Sequence, residues 1–241
     1  MRLMRGLFVV GTDTGVGKTI VTAALTAALR AENMNVGIWK PMQSGELLGS
    51  GATDAERLLQ YTGLNEQPEA VATFTFEAPL TPLLAAKQAG VTLTLQGLAA
   101  AGEDLLNRYE SLLIEGAGGV AVPLTDDSLM VDLISELRIP ALIVARSGLG
   151  TINHTLLTVS YLRQHGVPII GFIINDGESI DRYGDPSVTT NAALIERYSG
   201  IKFLGHFPCL KDEINTVSLI HVVREQIQLE TIVQALTIQT N

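Results

Sequence analysis

Gly6-Leu7-Phe8-Val9-Val10-Gly11-Thr12-Asp13-Thr14-Gly15-Val16-Gly17-Lys18-Thr19 is the stretch whose reading decides the fold. Residues 6–10 are apolar and short, the signature of a buried strand. Residues 18–30 carry Val21, Leu25, Ala28 and Leu29 at helical spacing. A glycine-rich loop between a strand and a helix is the setting in which such loops hold phosphate. The glycines let successive backbone N–H groups curl inward, and the helix N-terminus adds partial positive charge. Lys18 is spaced to reach β- and γ-phosphates, and Thr19 to offer its hydroxyl to magnesium. One position departs from the usual pattern: the glycine expected six residues before the lysine is Thr12, with Gly11 one place earlier. The alternative is an ordinary glycine-rich turn.

Outward from this loop, short apolar runs alternate with helical patterns. Strands are expected at 36–39, 111–114, 141–145, 168–174 and 203–207. Helices are expected at 54–61, 81–89, 97–109, 128–137 (with Ser128 as cap), 151–164, 186–198 and 218–236. Strands separated by helices predict a parallel sheet with right-handed crossovers. The fold class is α/β, a doubly wound, mostly parallel sheet with helices on both faces, of P-loop NTPase type. The polar loops at 45–53 and 176–185 are too short to link domains, so residues 1–241 are expected to form one nucleotide-binding catalytic domain.

Composition agrees. Hydrophobic residues make up 46% of the 241 and charged ones 17%, too apolar a balance for disorder. The formal net charge of −9 argues against tracking a nucleic-acid backbone, which needs a positive surface. Cys209 is the single cysteine, so no internal disulfide forms. No apolar run approaches a membrane span. Residues 1–7 lack a signal peptide's long apolar stretch, and a cytoplasmic protein is expected.

In a doubly wound sheet ligands bind beyond the carboxyl ends of the strands. The residues there are Lys40-Pro41-Met42-Gln43-Ser44-Gly45, Glu115-Gly116-Ala117-Gly118-Gly119, Arg146-Ser147-Gly148-Leu149-Gly150, Asn175-Asp176 and Pro208. Glu115 ends an apolar strand, where a carboxylate needs a partner such as magnesium. Asp54 reads equally as a second metal carboxylate or as a first-turn acid of its helix. Lys40 is either a stabiliser of charge on a moving phosphoryl group or a surface lysine after a strand. Asn175 has the donor and acceptor to read adenine, or forms a turn with Asp176 and Gly177. His154 reads as packed or solvated, and Cys209 as a small apolar filler.

Taken together, residues 11–19, 40–45, 115–119, Gly148-Leu149-Gly150-Thr151-Ile152-Asn153-His154 and Asn175-Asp176 resemble the dethiobiotin synthetases. Pro79 and Pro82 resemble that family's proline-containing segment before a helix, though Thr81 and Leu83 stand where Ser and His are usual. The resemblance implies closure of a ureido ring on 7,8-diaminopelargonate with CO2 and ATP, through a carbamate and a carbamic–phosphoric anhydride. Carried over by position, Lys18 and Lys40 are the catalytic cations, and Thr19, Asp54 and Glu115 hold Mg2+. ATP contacts come from Gly15, Val16, Gly17, Lys18, Thr19, Ile20, Asp54, Glu115, Gly116, Ala117, Gly118, Asn175, Asp176, Phe207, Pro208 and Cys209. Thr14, Ser44 and Gly118 line the diamine and carbamate site. Thr151, Ile152 and Asn153 meet the substrate's distant carboxylate across a homodimer interface. The family carries glutamate or glycine at position 15; with Gly15, a carboxylate role is absent.

Two other classes compete. Partition-type ATPases, which act on DNA or membranes, carry a second lysine five residues before the P-loop lysine, where this chain has Asp13. Their membrane-binding relatives end in a basic amphipathic helix, whereas residues from 218 onward contain Arg224 and no lysine. Glutamine-dependent synthetases need a glutaminase domain with a nucleophilic cysteine, and Cys209 in Phe207-Pro208-Cys209-Leu210 has no such context.

Overall fold

β1 (Gly6–Gly11) lies inside a seven-stranded sheet, flanked by β4 (Ser111–Gly119) and β5 (Ala141–Arg146). The computed structural model describes residues 4–177, 185–210 and 214–237. The remaining strands are β2 (Val36–Ser44), β3 (Ala72–Phe76), β6 (Ile169–Asn175) and β7 (Phe203–Phe207). Their spatial order is β3-β2-β4-β1-β5-β6-β7, and every pairing is parallel. Parallel pairing requires crossovers, and helices supply them.

Alternation along the strands builds two cores. Leu7 and Val9, Leu142 and Val144, and Leu113 face α1 (Lys18–Ala31), α2 (Asp54–Thr62), α10 (Thr216–Gln226) and α11 (Leu229–Thr237). Phe8 and Val10, Leu112 and Ile114, and Ile143 face the opposite layer. That layer holds α4 (Pro82–Gln88), α5 (Leu95–Ala100), α6 (Glu103–Arg108), α7 (Met130–Leu137), α8 (Thr151–Gln164) and α9 (Asn191–Ser199). The short α3 (Pro68–Val71) leads into β3. A sheet covered on both faces explains why its strands read as continuous apolar runs. Among the described residues no helix is long and apolar enough to cross a membrane.

The structure differs from the sequence reading at several element ends. β3 is not expected from the sequence; it forms because Lys40 to Ser44 of β2 offer it a ladder. β2 and β4 run five residues beyond their apolar parts, into Ser44 and Gly119. The helix expected at 97–109 is two, α5 and α6. Between them Gly102 packs so closely on Trp39 that an added Cβ would lie 2.9 Å from the ring. The helix expected at 218–236 also breaks, because Ile227 bridges Gly205 and the Gln228 amide donates to the Leu204 carbonyl. Ser128 does not cap α7: that helix begins at Met130, and the Asp132 carboxylate accepts from the Leu129 amide. The segment 186–198 starts as a 3-10 turn, Pro186–Thr189, before α9. Most of the 176–185 loop and residues 1–3 lie outside the described residues.

Candidate active site

The loop 11–17 leaves the middle of the sheet and ends at Gly17, which caps α1 with φ 90°. A side chain there would strike the Asn175 amide, whose Nδ2 donates to the Val16 carbonyl at 3.0 Å. Glycine is therefore required both by conformation and by space. Inside the loop, the Thr14 amide donates to Asp13 Oδ1 at 2.7 Å, and Lys18 Nζ donates to the Asp13 carbonyl at 3.1 Å.

Three strand and helix ends bring a charged cluster to this loop. Glu115 is paired in register with Val9 on β1 and points to the α1 side. Lys40 projects from β2, and Asp54 opens α2. Lys40 Nζ lies 2.6 Å from Glu115 Oε1 and 2.6 Å from Asp54 Oδ2. The Thr19 hydroxyl sits between the same two carboxylates, 2.9 Å from Glu115 Oε1 and 3.2 Å from Asp54 Oδ1. Asp54 does not cap its helix; Thr53 does, in a reciprocal pair with Glu56. The acid is therefore free to serve the cluster.

The electrostatics follow from burial and proximity. Burial alone would discharge Lys40, but the Glu115 and Asp54 carboxylates outweigh it and push its pKa up to about 12. Lys18 has no such partners at contact. Burial, reinforced by the Lys40 charge, brings it down to about 8. Burial also works to raise Asp54, yet the adjacent Lys40 holds it below the usual carboxylate range. Burial pushes Glu115 up, for only Oε1 is paired. Among the described residues, Glu115 Oε2 is buried without a hydrogen-bond partner.

That orphaned oxygen bears on metal binding. Among the described residues no group of three or more His, Cys, Asp or Glu side chains is arranged to hold an ion alone. Two carboxylates and a hydroxyl form a partial, all-oxygen set, of the kind magnesium completes with phosphate oxygens and water. Thr19, Asp54 and Glu115 fit such an ion.

A cavity of about 1050 Å³ opens over the cluster. It is lined by Thr14, Gly15, Gly17, Lys18, Thr19, Ile20, Lys40, Ser44, Asp54, Glu115, Ala117, Gly118, Asn175, Phe207, Pro208 and Cys209. Ser44 is tied to the opposite rim, its hydroxyl donating to the Leu80 carbonyl at 2.7 Å. The other expected site residues lie outside this lining. Val16 is buried and meets Asn175 through its carbonyl. Gly116 packs under the Phe8 ring. Asp176 is buried with His206 Nδ1 3.5 Å away. Thr151, Ile152 and Asn153 open α8 beyond β5, where Gly150 caps the helix without a side-chain hydrogen bond.

Gln43 has no role in the sequence reading, although it sits inside the 40–45 motif. It is buried, its Oε1 accepts from the Ala55 amide at 3.0 Å, and its Nε2 donates to Thr75 Oγ1 at 3.0 Å. It therefore fastens the first turn of α2, and with it Asp54, to the β2–β3 edge. Arg57, Tyr61, Pro79, Pro82 and Val122 also line the cavity.

Comparison with known proteins yields relatives over nearly the whole chain. A protein of Bacillus cereus (strain G9842), named ATP-dependent dethiobiotin synthetase BioD, is 36% identical over 238 residues, covering 99% of this chain and 97% of its own. Its namesake in Bacillus licheniformis is 40% identical over 229 residues, covering 95% and 96%. The chain belongs to the dethiobiotin synthetase family. A family model described as an AAA domain also matches residues 5–216. Among solved structures, a ParA family ATPase from Chlorobium tepidum has a TM-score of 0.56 at 15% identity, covering 97% of this chain and 99% of its own. The septum site-determining protein MinD from Pyrococcus horikoshii has a TM-score of 0.55 at 16% identity, covering 99% and 96%. At such identities the likeness is one of fold, a P-loop NTPase sheet shared with the dethiobiotin synthetase family.

Proposed function

We propose that this chain is an ATP-dependent dethiobiotin synthetase, a ligase of biotin biosynthesis that acts in the cytoplasm as one catalytic domain. It closes the ureido ring of dethiobiotin from 7,8-diaminopelargonate, CO2 and ATP. The observation that carries the reading is the Lys40–Glu115–Asp54–Thr19 cluster beside the phosphate loop, with Lys40 and Glu115 buried, in a cavity roomy enough for a nucleotide and a second substrate.

One amine of the substrate takes up CO2 to form a carbamate. A carbamate oxygen attacks the γ-phosphorus of ATP, ADP departs, and a carbamic–phosphoric anhydride results. The second amine attacks the anhydride's carbonyl carbon and expels phosphate, closing the ring. The protein contributes positioning and charge rather than a covalent bond. Lys40 stays charged across the physiological range, so it acts as a fixed cation for the carbamate and the moving phosphoryl group, together with Lys18. Thr14, Ser44 and Gly118 hold the diamine end.

Thr19, Asp54 and Glu115 would hold magnesium, which would supply charge neutralisation at the phosphate oxygens. Asn175 reads adenine, with Phe207, Pro208 and Cys209 beside it. Gly15, Val16, Gly17, Ile20, Gly116, Ala117 and Asp176 complete the nucleotide surroundings through backbone and packing. Thr151, Ile152 and Asn153 serve the substrate carboxylate of a neighbouring copy in a homodimer. Support for that arrangement comes from their lying outside this chain's own cavity lining and from the exposed Leu149 and Leu157 on the same segment.

The test is incubation with magnesium-ATP, bicarbonate and 7,8-diaminopelargonate, with dethiobiotin followed by mass spectrometry. Product that needs all three components, and is lost in Lys40→Ala, is the expected result. A folded protein that binds ATP and gives no product would overturn the substrate assignment. Light scattering tests the dimer: a mass of one chain would overturn it.

A further inference from the structure

Arg57 follows Asp54 by three residues on α2 and precedes Tyr61 by four. That spacing sets the three side chains on one helix face, and all three line the cavity. The other cations of the lining are engaged. Lys40 is held by Glu115 and Asp54, and Lys18 donates to the Asp13 carbonyl. Arg57 is exposed, and among the described residues it forms no ion pair. What sets Arg57 apart is its place in the cavity lining, where, with no ion pair among the described residues, its guanidinium is available to an anionic ligand.

Its surroundings say what it meets. α2 packs beside α1, whose first turn brings Lys18, Thr19 and Ile20 to the same cavity. A phosphate chain lying along that turn has Lys18 at the end being transferred and α2 on its flank. A guanidinium is planar, permanently charged and forked to match two phosphate oxygens, and its aliphatic stem lets it reach across a cleft. We propose that Arg57 is a nucleotide-binding residue that closes on the phosphate chain of ATP, on the flank away from the transferred phosphoryl group. It thereby completes a ring of cations with Lys18 and Lys40. The inference rests on the ATP-binding part of the proposed function and not on the identity of the diamine.

Calorimetry with MgADP, in the absence of diamine and CO2, tests it. Arg57→Ala and Arg57→Met are expected to weaken MgADP binding by about five- to tenfold, with Arg57→Lys recovering part of the loss. The salt dependence of binding should flatten in the uncharged variants. The KM for the diamine at saturating ATP should not move. Arg57→Met keeps the stem and removes the charge, so wild-type affinity in that variant would overturn the proposal, as would unchanged affinity in Arg57→Ala. The side chain is exposed, so these variants are expected to fold, which circular dichroism checks. Absence of MgADP binding in the wild type would instead overturn the ATP reading itself.

Discussion

Lys40 Nζ and Glu115 Oε1 lie 2.6 Å apart, and that same oxygen accepts the Thr19 hydroxyl at 2.9 Å. The ammonium thus sits among the oxygens that suit a divalent cation. It is their built-in counter-ion, and a metal entering the set has to share them with it. Lys40→Met is therefore expected to bind Mn2+ more tightly than the wild type without nucleotide, as read by electron paramagnetic resonance, while losing turnover. It should also cost ~3 kcal/mol of stability without metal, because the buried Glu115 carboxylate and the partly exposed Asp54 lose their partner. Added metal should restore part of that loss in a thermal melt. Equal or weaker Mn2+ affinity in the variant would contradict the competition.

The lowered pKa of Lys18, about 8, gives a pH dependence. Only the charged lysine attracts phosphate, so MgADP affinity should fall as pH rises through about 8. Near that pH binding should take up protons, measurable by calorimetry in two buffers of different ionisation enthalpy. The stability effect has the opposite sign. Between about 8 and the ordinary value of 10.5 the unfolded chain holds more protons at this site, so its contribution to stability rises with pH.

Gln43 links Ala55 of α2 to Thr75 of β3. Gln43→Leu removes both bonds and leaves the Ala55 amide without its acceptor, at a cost of ~2 kcal/mol. The Mg2+ concentration for half-maximal activity should rise several-fold, since Asp54 is no longer fixed relative to Lys40. Thr75→Val cuts only the outer bond and should move the same quantity less. A fall in melting temperature with unchanged Mg2+ dependence would confine Gln43 to a stabilising role.

Gly17 holds φ 90° with the Asn175 amide against its α-carbon. Gly17→Ala should strain the backbone by ~1–3 kcal/mol and push Asn175 off the Val16 carbonyl. MgADP binding should be largely lost while the far-ultraviolet dichroism of the sheet and helices persists. Retained wild-type affinity would show that the loop can relax around a side chain.

Much of this was legible in the sequence. The strand–loop–helix at 6–30 named the fold because glycine spacing and apolar periodicity are local properties, and the expected strands and helices fall in the observed order. Lys40, Asp54 and Glu115 were legible as strand-end or helix-start polar residues. β3 was missed although Thr73-Phe74-Thr75-Phe76 alternates β-branched and aromatic residues; what the local pattern does not carry is its place at the sheet edge, set by the ladder to β2. The breaks at Gly102 and Ile227 came from Trp39 and Gly205, residues distant in the chain.

By itself the sequence determined which side chains could carry phosphate and metal chemistry and the class of sheet that would present them. Tertiary structure alone decided that Lys40, Asp54, Glu115 and Thr19 meet within 3.2 Å. It also decided that Glu115 keeps one buried oxygen unpaired among the described residues and that Gln43 is the brace behind Asp54. The reason is physical. Periodicity and turn chemistry act over a few residues, whereas the charge state and reach of a buried side chain depend on what the parallel sheet brings beside it from 35 to 96 residues away.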